Sequence, residues 1–360
     1  MSRATDVIRP EIQAMRAYPV SDATGLVKLD VMESPYSLPD WLARDVGELV
    51  SRLALNRYPV PSAAKLRALI REVMQVPQGC DVLLGNGSDE CIQYVTAAVA
   101  REGAVVMAPA PSFAMFQMHA FFYRLRFVGM PLREDFSFDA DAFLSAMAKE
   151  QPALVWIAYP NNPTGTAFPV ADIERVIRAA PGLVVIDEAY QPYAGTTFMP
   201  RLAEFDNVVV MRTVSKISMA GVRLGYVCGR AEWIEEFNKT RSPFNINVMT
   251  EAVAIKLLEN KAVLDEQAAR VLAEREPVRV ALERLPGLTV YPSAANFLLA
   301  RVAGGKGAGT RAFEWMKAAG VLVKDFSGGH PLMENCLRLT IGTPQENRAM
   351  IAALREALAA

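Results

Sequence analysis

Residues 62–74, SAAKLRALIREVM, carry Leu66, Leu69, Ile70, Val73 and Met74 on one face of a 3.6-residue repeat, with Pro61-Ser62 as a start signal, and so predict a helix. Short runs that are apolar throughout then recur at 82–84, 104–107, 154–158, 183–186, 208–211 and 224–228. A strand with one wet face would alternate; these do not, so they read as strands covered on both faces. Helical stretches separate them, which predicts an α/β fold with a mostly parallel sheet between two helical layers. After about residue 250 the rhythm changes. A long charged helix runs through DEQAARVLAEREPVRVALERL, strands follow at 288–291, 297–301, 321–323 and 337–341, and PQENRAMIAALREALAA closes the chain as a helix. That predicts a large domain over 40–250 and a smaller α+β domain made of 1–39 and 251–360, with no internal repeat.

Composition narrows the function without changing the fold. The 360 residues are enough for a sizeable core, and 52% are hydrophobic against 21% charged. Lys and Arg number 38 and Asp and Glu 39, so no basic surplus points to nucleic acid or anionic lipid, and small solutes are the expected partners. No apolar run approaches the roughly 18 residues of a membrane span, and MSRATDVIRPEIQAM has no secretory core, so a cytoplasmic location with no membrane association is expected. The four cysteines, Cys80, Cys91, Cys228 and Cys336, have no CxxC spacing, and the two histidines are His119 and His330. Neither a zinc cluster nor a disulfide framework is suggested, and no metal is expected. Neither histidine accompanies a nucleophile motif, which argues against a hydrolase triad.

Several segments carry candidate chemistry. RTVSKISMAGVRLGY (212–226) follows an apolar strand and places Ser215, Lys216 and Arg223 in one turn-rich stretch; alone, a Ser-Lys pair fits a solvated surface lysine equally well. YPNNPTG (159–165) and VVIDEAY (184–190) also follow or end strands, so both emerge at the carboxyl edge of the sheet, where α/β proteins bind ligands. On composition alone, Asn162-Pro163-Thr164-Gly165 is simply a turn. LLGNGSDECIQYV runs a strand into Gly85-Asn86-Gly87 and opens a helix at Ser88-Asp89-Glu90. Such a start either receives an anion on its amides or is merely capped. It lacks the spacing of a dinucleotide fingerprint or a P-loop, which disfavours a dehydrogenase. Phe113 and Phe116 in APAPSFAMF (108–116) suit either core packing or a stacking platform. Arg338 in CLRLTIGT (336–343) is a charge in an apolar strand, and its guanidinium fork suits a carboxylate or comparable anion.

Taken in order, Asn-Pro-Thr-Gly, Asp-Glu-Ala-Tyr and Ser-Lys with an arginine seven residues on resemble the fold-type I pyridoxal-phosphate aminotransferases of the aspartate aminotransferase superfamily, over essentially the whole chain. The resemblance implies that Lys216 holds pyridoxal 5'-phosphate covalently and moves protons. It also implies that Asp187 keeps the pyridine nitrogen protonated, and that Asn162 and Tyr190 donate to the phenolic oxygen. Ser88, Asp89, Ser215 and Arg223 fall at the cofactor phosphate, and Phe113 stacks on the ring. Tyr58, in NRYP, matches a tyrosine that reaches the neighbouring subunit's phosphate, which implies a homodimer with shared sites.

Within that superfamily the segments NRYP, GNGSDE, APAPSFAMF, SPFNIN and NCLRLTIGTPQEN resemble the histidinol-phosphate aminotransferase group. This implies interconversion of histidinol phosphate and imidazole acetol phosphate with glutamate and 2-oxoglutarate, in histidine biosynthesis, with Tyr18, Lys324 and Arg338 on the substrate. Two departures stand out. The usual NENPY reads Met32-Glu33-Ser34-Pro35-Tyr36, and Lys324 stands where the family often has arginine. Aromatic amino-acid aminotransferases and threonine-phosphate decarboxylases share much of the pattern. A non-catalytic binding protein on the same fold would not need an amine placed for imine exchange.

Overall fold

The protein is described by a computed structural model covering residues 3–15, 17 and 21–360, so Tyr18 lies outside the described residues. The strands are β1 (Val27–Lys28), β2 (Cys80–Gly85), β3 (Val105–Ala110), β4 (Arg126–Pro131), β5 (Leu154–Ala158), β6 (Leu183–Asp187) and β7 (Val208–Thr213), followed by β8 (Gly225–Arg230), β9 (Leu288–Val290), β10 (Phe297–Val302), β11 (Val321–Leu322), β12 (Lys324–Asp325) and β13 (Cys336–Thr340).

Seven strands form the main sheet in the order β2-β8-β7-β6-β5-β3-β4. All neighbours are parallel except those of β8, which runs antiparallel to both β7 and β2. Alternate residues feed opposite sides, as a pleated strand requires. Val184, Ile186, Val208 and Val210 pack into one apolar core with the helices Ala64–Val73, Ala140–Glu150 and Val170–Ala179. Leu183, Val185, Val209 and Met211 pack into the other, under Ser88–Val99, Ala114–Phe122 and Ala231–Asn238. Burial on both faces explains why these strands lack alternation in the sequence.

The expected strands of this sheet are present, and β4 was not foreseen. It lies at the sheet edge with β3 as its sole neighbour and is only partly covered, so it carries neither an unbroken apolar run nor clean alternation.

A second sheet, β12-β13-β10-β9, is antiparallel, while β1 pairs with β11 in parallel, Val27 opposite Val321. The strand expected over 321–323 is β11, paired with the N-terminal segment, and β12 at 324–325, paired with β13, is an additional short strand. The long helix spans Lys261–Glu283 with Pro277 inside it, and the closing helix Pro344–Ala359 begins with a capping box between Thr343 and Glu346. In the main sheet the carboxyl ends of β2, β3, β5, β6 and β7 share one edge with the start of β8. That edge holds the site.

Candidate active site

A cavity of about 530 Å³ opens at this edge. Of the residues singled out from sequence, Ser88, Asp89, Phe113, Asn162, Asp187, Tyr190, Ser215, Lys216 and Arg223 line it. Each follows or ends a strand of the one sheet, so short loops bring them together.

Asp187, the last residue of β6, is buried, and its Oδ1 accepts the Ala189 N–H at 3.0 Å. Burial outweighs that bond and pushes the carboxyl up to about 7. Lys216 lies in the turn after β7, where Nζ donates to Val31 O at 2.8 Å and sits 5.8 Å from the centre of the Tyr190 ring. Desolvation first, and the nearby Arg338 charge second, lower its pKa to about 8. A lysine with that value offers an unprotonated amine close to neutral pH, as a solvated surface lysine does not. Its backbone is held as well, because the Tyr193 hydroxyl donates to Lys216 O at 2.7 Å.

Opposite, the chain forms a cradle. Gly225 is paired across the sheet with both Gly85 and Thr213, which brings Arg223, two residues earlier, between the turns after β2 and β7. Arg223 adopts a left-handed conformation (φ 55°) and places Nη1 3.5 Å from Ser215 Oγ and Nη2 3.9 Å from Asp89 Oδ2. The Thr213 hydroxyl donates to Ser215 Oγ at 2.9 Å, a support not singled out from sequence despite its place in RTVSK. The approach is close: a Cβ on Gly87 would lie 2.4 Å from Arg223 Nη2, and one on Gly225 2.4 Å from Ser88 N. The N-cap of the helix Ser88–Val99 is Gly87, with no side-chain cap, so the Ser88 hydroxyl is not spent on capping. Backbone amides, two hydroxyls and a guanidinium thus converge as an anion site does.

Residues 25–354 match the family aminotransferase class I and II. The chain belongs to that family. It is 53% identical to histidinol-phosphate aminotransferase 2 of Cupriavidus pinatubonensis, over 98% of this chain and 96% of that protein. It is 52% identical to histidinol-phosphate aminotransferase 2 of Burkholderia pseudomallei, over 99% and 100%. Among solved structures, the histidinol-phosphate aminotransferase of Sinorhizobium meliloti in complex with pyridoxal 5'-phosphate superposes with a TM-score of 0.87 at 23% identity, covering 98% of each chain, and shares the fold.

The far wall of this aminotransferase's cavity comes from distant parts of the chain. Lys28, Asp30, Val31, Met32 and Glu33 line it. Met32 has φ 56°, a strained backbone for a side chain with a Cβ, and is held by Thr340 Oγ1 on its N–H and by Asn296 Nδ2 on its carbonyl. Lys28 and Glu33 form an ion pair. Arg338 is buried in β13 and donates from Nη1 to Asn162 Oδ1 at 2.6 Å and from Nη2 to Asp30 O at 2.7 Å, tying this wall to the Asn162 turn. Lys324 sits directly across from it in β12. Neither Lys324 nor Arg338 forms the cavity surface itself. The Asn162 turn is built by Asn161, whose side-chain amide donates to Pro111 O and Thr164 Oγ1. Phe113 meets Phe116 edge to face at 5.6 Å while lining the cavity.

Tyr58 is apart from all this. It is 81% exposed, stacked on Phe244 at 4.7 Å, and not among the cavity residues. Lys28 carries no motif of its own, while Glu33 lies in the segment that replaces NENPY and Thr213 in RTVSK; their positions follow from the pairing of β1 with β11 and of β7 with β8.

Proposed function

We propose that the chain is a pyridoxal-phosphate-dependent transaminase that interconverts histidinol phosphate and imidazole acetol phosphate, with glutamate and 2-oxoglutarate as the other pair. The observation that carries this reading is a desolvated amine lowered to about 8 near a buried carboxylate raised to about 7, facing an anion cradle, in a chain 53% identical over 98% of its length to a histidinol-phosphate aminotransferase.

The residues present fit the cofactor. A desolvated carboxylate at Asp187 calls for a cation, which a protonated pyridine nitrogen supplies, and the cradle around Ser88, Asp89, Ser215 and Arg223 suits a phosphate dianion. When bound, the group contributes an electron sink for the carbanion formed at the substrate. Asp187 would keep the ring nitrogen protonated, Asn162 and Tyr190 would donate to the phenolic oxygen, and Phe113 would cover the ring. Lys216 would hold the cofactor aldehyde, and its Nζ, once freed by an incoming substrate amine, would serve as the base and acid that moves the proton at the substrate Cα. Arg338 and Lys324, just behind the cavity surface, would supply positive charge for the anionic ends of the substrates, and Tyr18 is assigned to the substrate by its motif alone.

Tyr58, exposed and not lining its own cavity, supports a homodimer in which it completes the partner's cradle. Among the described residues no helix is long and apolar enough to cross a membrane, and we place the enzyme in the cytoplasm with its metabolites. The large domain is read as 40–250 and the small domain as 1–39 with 251–360. Paired half-reactions with histidinol phosphate and phenylalanine test the substrate assignment. Faster conversion of histidinol phosphate is expected, and a preference for phenylalanine would instead make the enzyme an aromatic aminotransferase.

A further inference from the structure

The anion cradle is held from behind by a group that does not reach it. Glu90 is the third residue of the helix Ser88–Val99, and its carboxylate turns back to accept the backbone N–H of Asn86 at 2.6 Å. The same Oε2 accepts the side-chain amide of Asn245 at 2.6 Å. That amide also donates to Leu84 O at 3.0 Å, at the end of β2, while Asn245 Oδ1 accepts Arg241 Nη1 at 2.6 Å. Glu90 is not among the cavity residues.

The turn it grips has little of its own to define it. Gly85 and Gly87 flank Asn86, Gly87 takes φ 80°, and glycine backbone is the most costly to immobilise. The amides of this turn act on an anion only if they stay pointed at it, because preorganised donors are what make such sites bind. We propose that Glu90, set by Asn245 and Arg241, is a positioning residue that fixes the Asn86–Gly87–Ser88 amides for the cofactor phosphate. The proposal rests on reading this turn as the phosphate site.

Its sign is unusual. By charge alone a carboxylate near a phosphate repels it, so removing Glu90 would tighten binding. Positioning requires the opposite. The test uses the full-length apoenzyme and equilibrium dialysis with pyridoxal 5'-phosphate and, separately, pyridoxal, which lacks the phosphate. Glu90→Ala is expected to weaken pyridoxal 5'-phosphate binding at least about tenfold, the loss of a hydrogen-bonded charge, and to leave pyridoxal affinity unchanged. Glu90→Gln, which keeps an acceptor for Asn86, is expected to stay within about threefold of the parent. Asn245→Ala shifts affinity in the same direction as Glu90→Ala and carries the test if Glu90→Ala does not fold. Unchanged or tighter binding of pyridoxal 5'-phosphate in the alanine variants, or an equal loss for pyridoxal, overturns the proposal. Arg223→Ala separates the two layers: if it loses phosphate-dependent affinity while the Glu90 and Asn245 variants do not, the proposal alone fails. If it too keeps full affinity, the phosphate reading beneath it fails.

Discussion

The two walls of the cavity are built in different ways. The wall with Lys216, Asp187 and Arg223 comes from successive ends of one sheet, each side chain within a few residues of a strand whose pairing fixes it. The wall with Lys28 and Glu33, backed by Lys324 and Arg338, is assembled from β1, β11, β12 and β13 and the loop at 30–34, joined by contacts such as Arg338 to Asp30 O across 308 residues. In the proposed mechanism the first wall holds the part of the reaction common to all substrates and the second faces what varies; both departures from the family pattern, Met32-Glu33-Ser34 and Lys324, fall on that second side. A wall made from loops and short strands can change residue by residue without disturbing the sheet that carries the chemistry.

Changes in the first wall should have the largest effects. Lys216→Ala is expected to slow the half-reaction by at least about 10³-fold with every amino donor, as measured by single-turnover absorbance. Transamination persisting in that variant would remove Lys216 from the mechanism. Asp187→Asn is expected to cost about 10²-fold in the same assay. It has a second readout in the apoenzyme. The folded carboxyl, at about 7, holds its proton to higher pH than the unfolded chain at 3.8, so its contribution to stability is present at low pH and is lost as pH rises from about 4 to about 7. Melting temperatures across that window should fall less steeply in the asparagine variant.

Next in size is the Lys216 amine. With its pKa near 8, the neutral fraction grows about tenfold between pH 7 and pH 9, and capture of pyridoxal 5'-phosphate by the apoenzyme should accelerate in proportion. A midpoint above pH 10, measured by stopped flow, would mean that the lysine is ordinary. In the second wall, Arg338→Lys keeps the charge but loses the fork. A rise in KM of up to about tenfold, with a smaller fall in kcat, is expected. The smallest effect belongs to Lys324→Arg, which should alter the ratio of kcat/KM for histidinol phosphate over phenylalanine by a few-fold. If Lys324→Arg shifts rate with both substrates as strongly as Asp187→Asn, the division between the walls is not functional.

The same division governs how much could be read from the chain alone. Strands buried on both faces leave unbroken apolar runs, so the order of the main sheet's elements and the residues at their ends were visible, Asp187 and Lys216 among them. β4 was not, because an edge strand with partial cover has no such run. A single strand was expected over 321–323, and β12 just beyond it was not, since local pattern cannot tell that Val321 faces β1 while Lys324 faces β13. Lys28 belongs to no motif, and Thr213 and Glu33, though inside motif segments, are made part of the site by their neighbours.

By itself, then, the sequence determined the α/β architecture, the ordered set of reactive side chains and the family they mark, because these depend on local periodicity and on residues adjacent to strands. Tertiary structure decided what each of those side chains experiences. The shifts of Lys216 and Asp187 arise from burial by remote segments, the approach of Arg223 to Gly87 from the antiparallel β8, and the grip of Glu90 on Asn86 from Asn245, 155 residues away from Glu90. Desolvation and cross-strand register depend on which distant segments meet, and no window along the chain contains both partners.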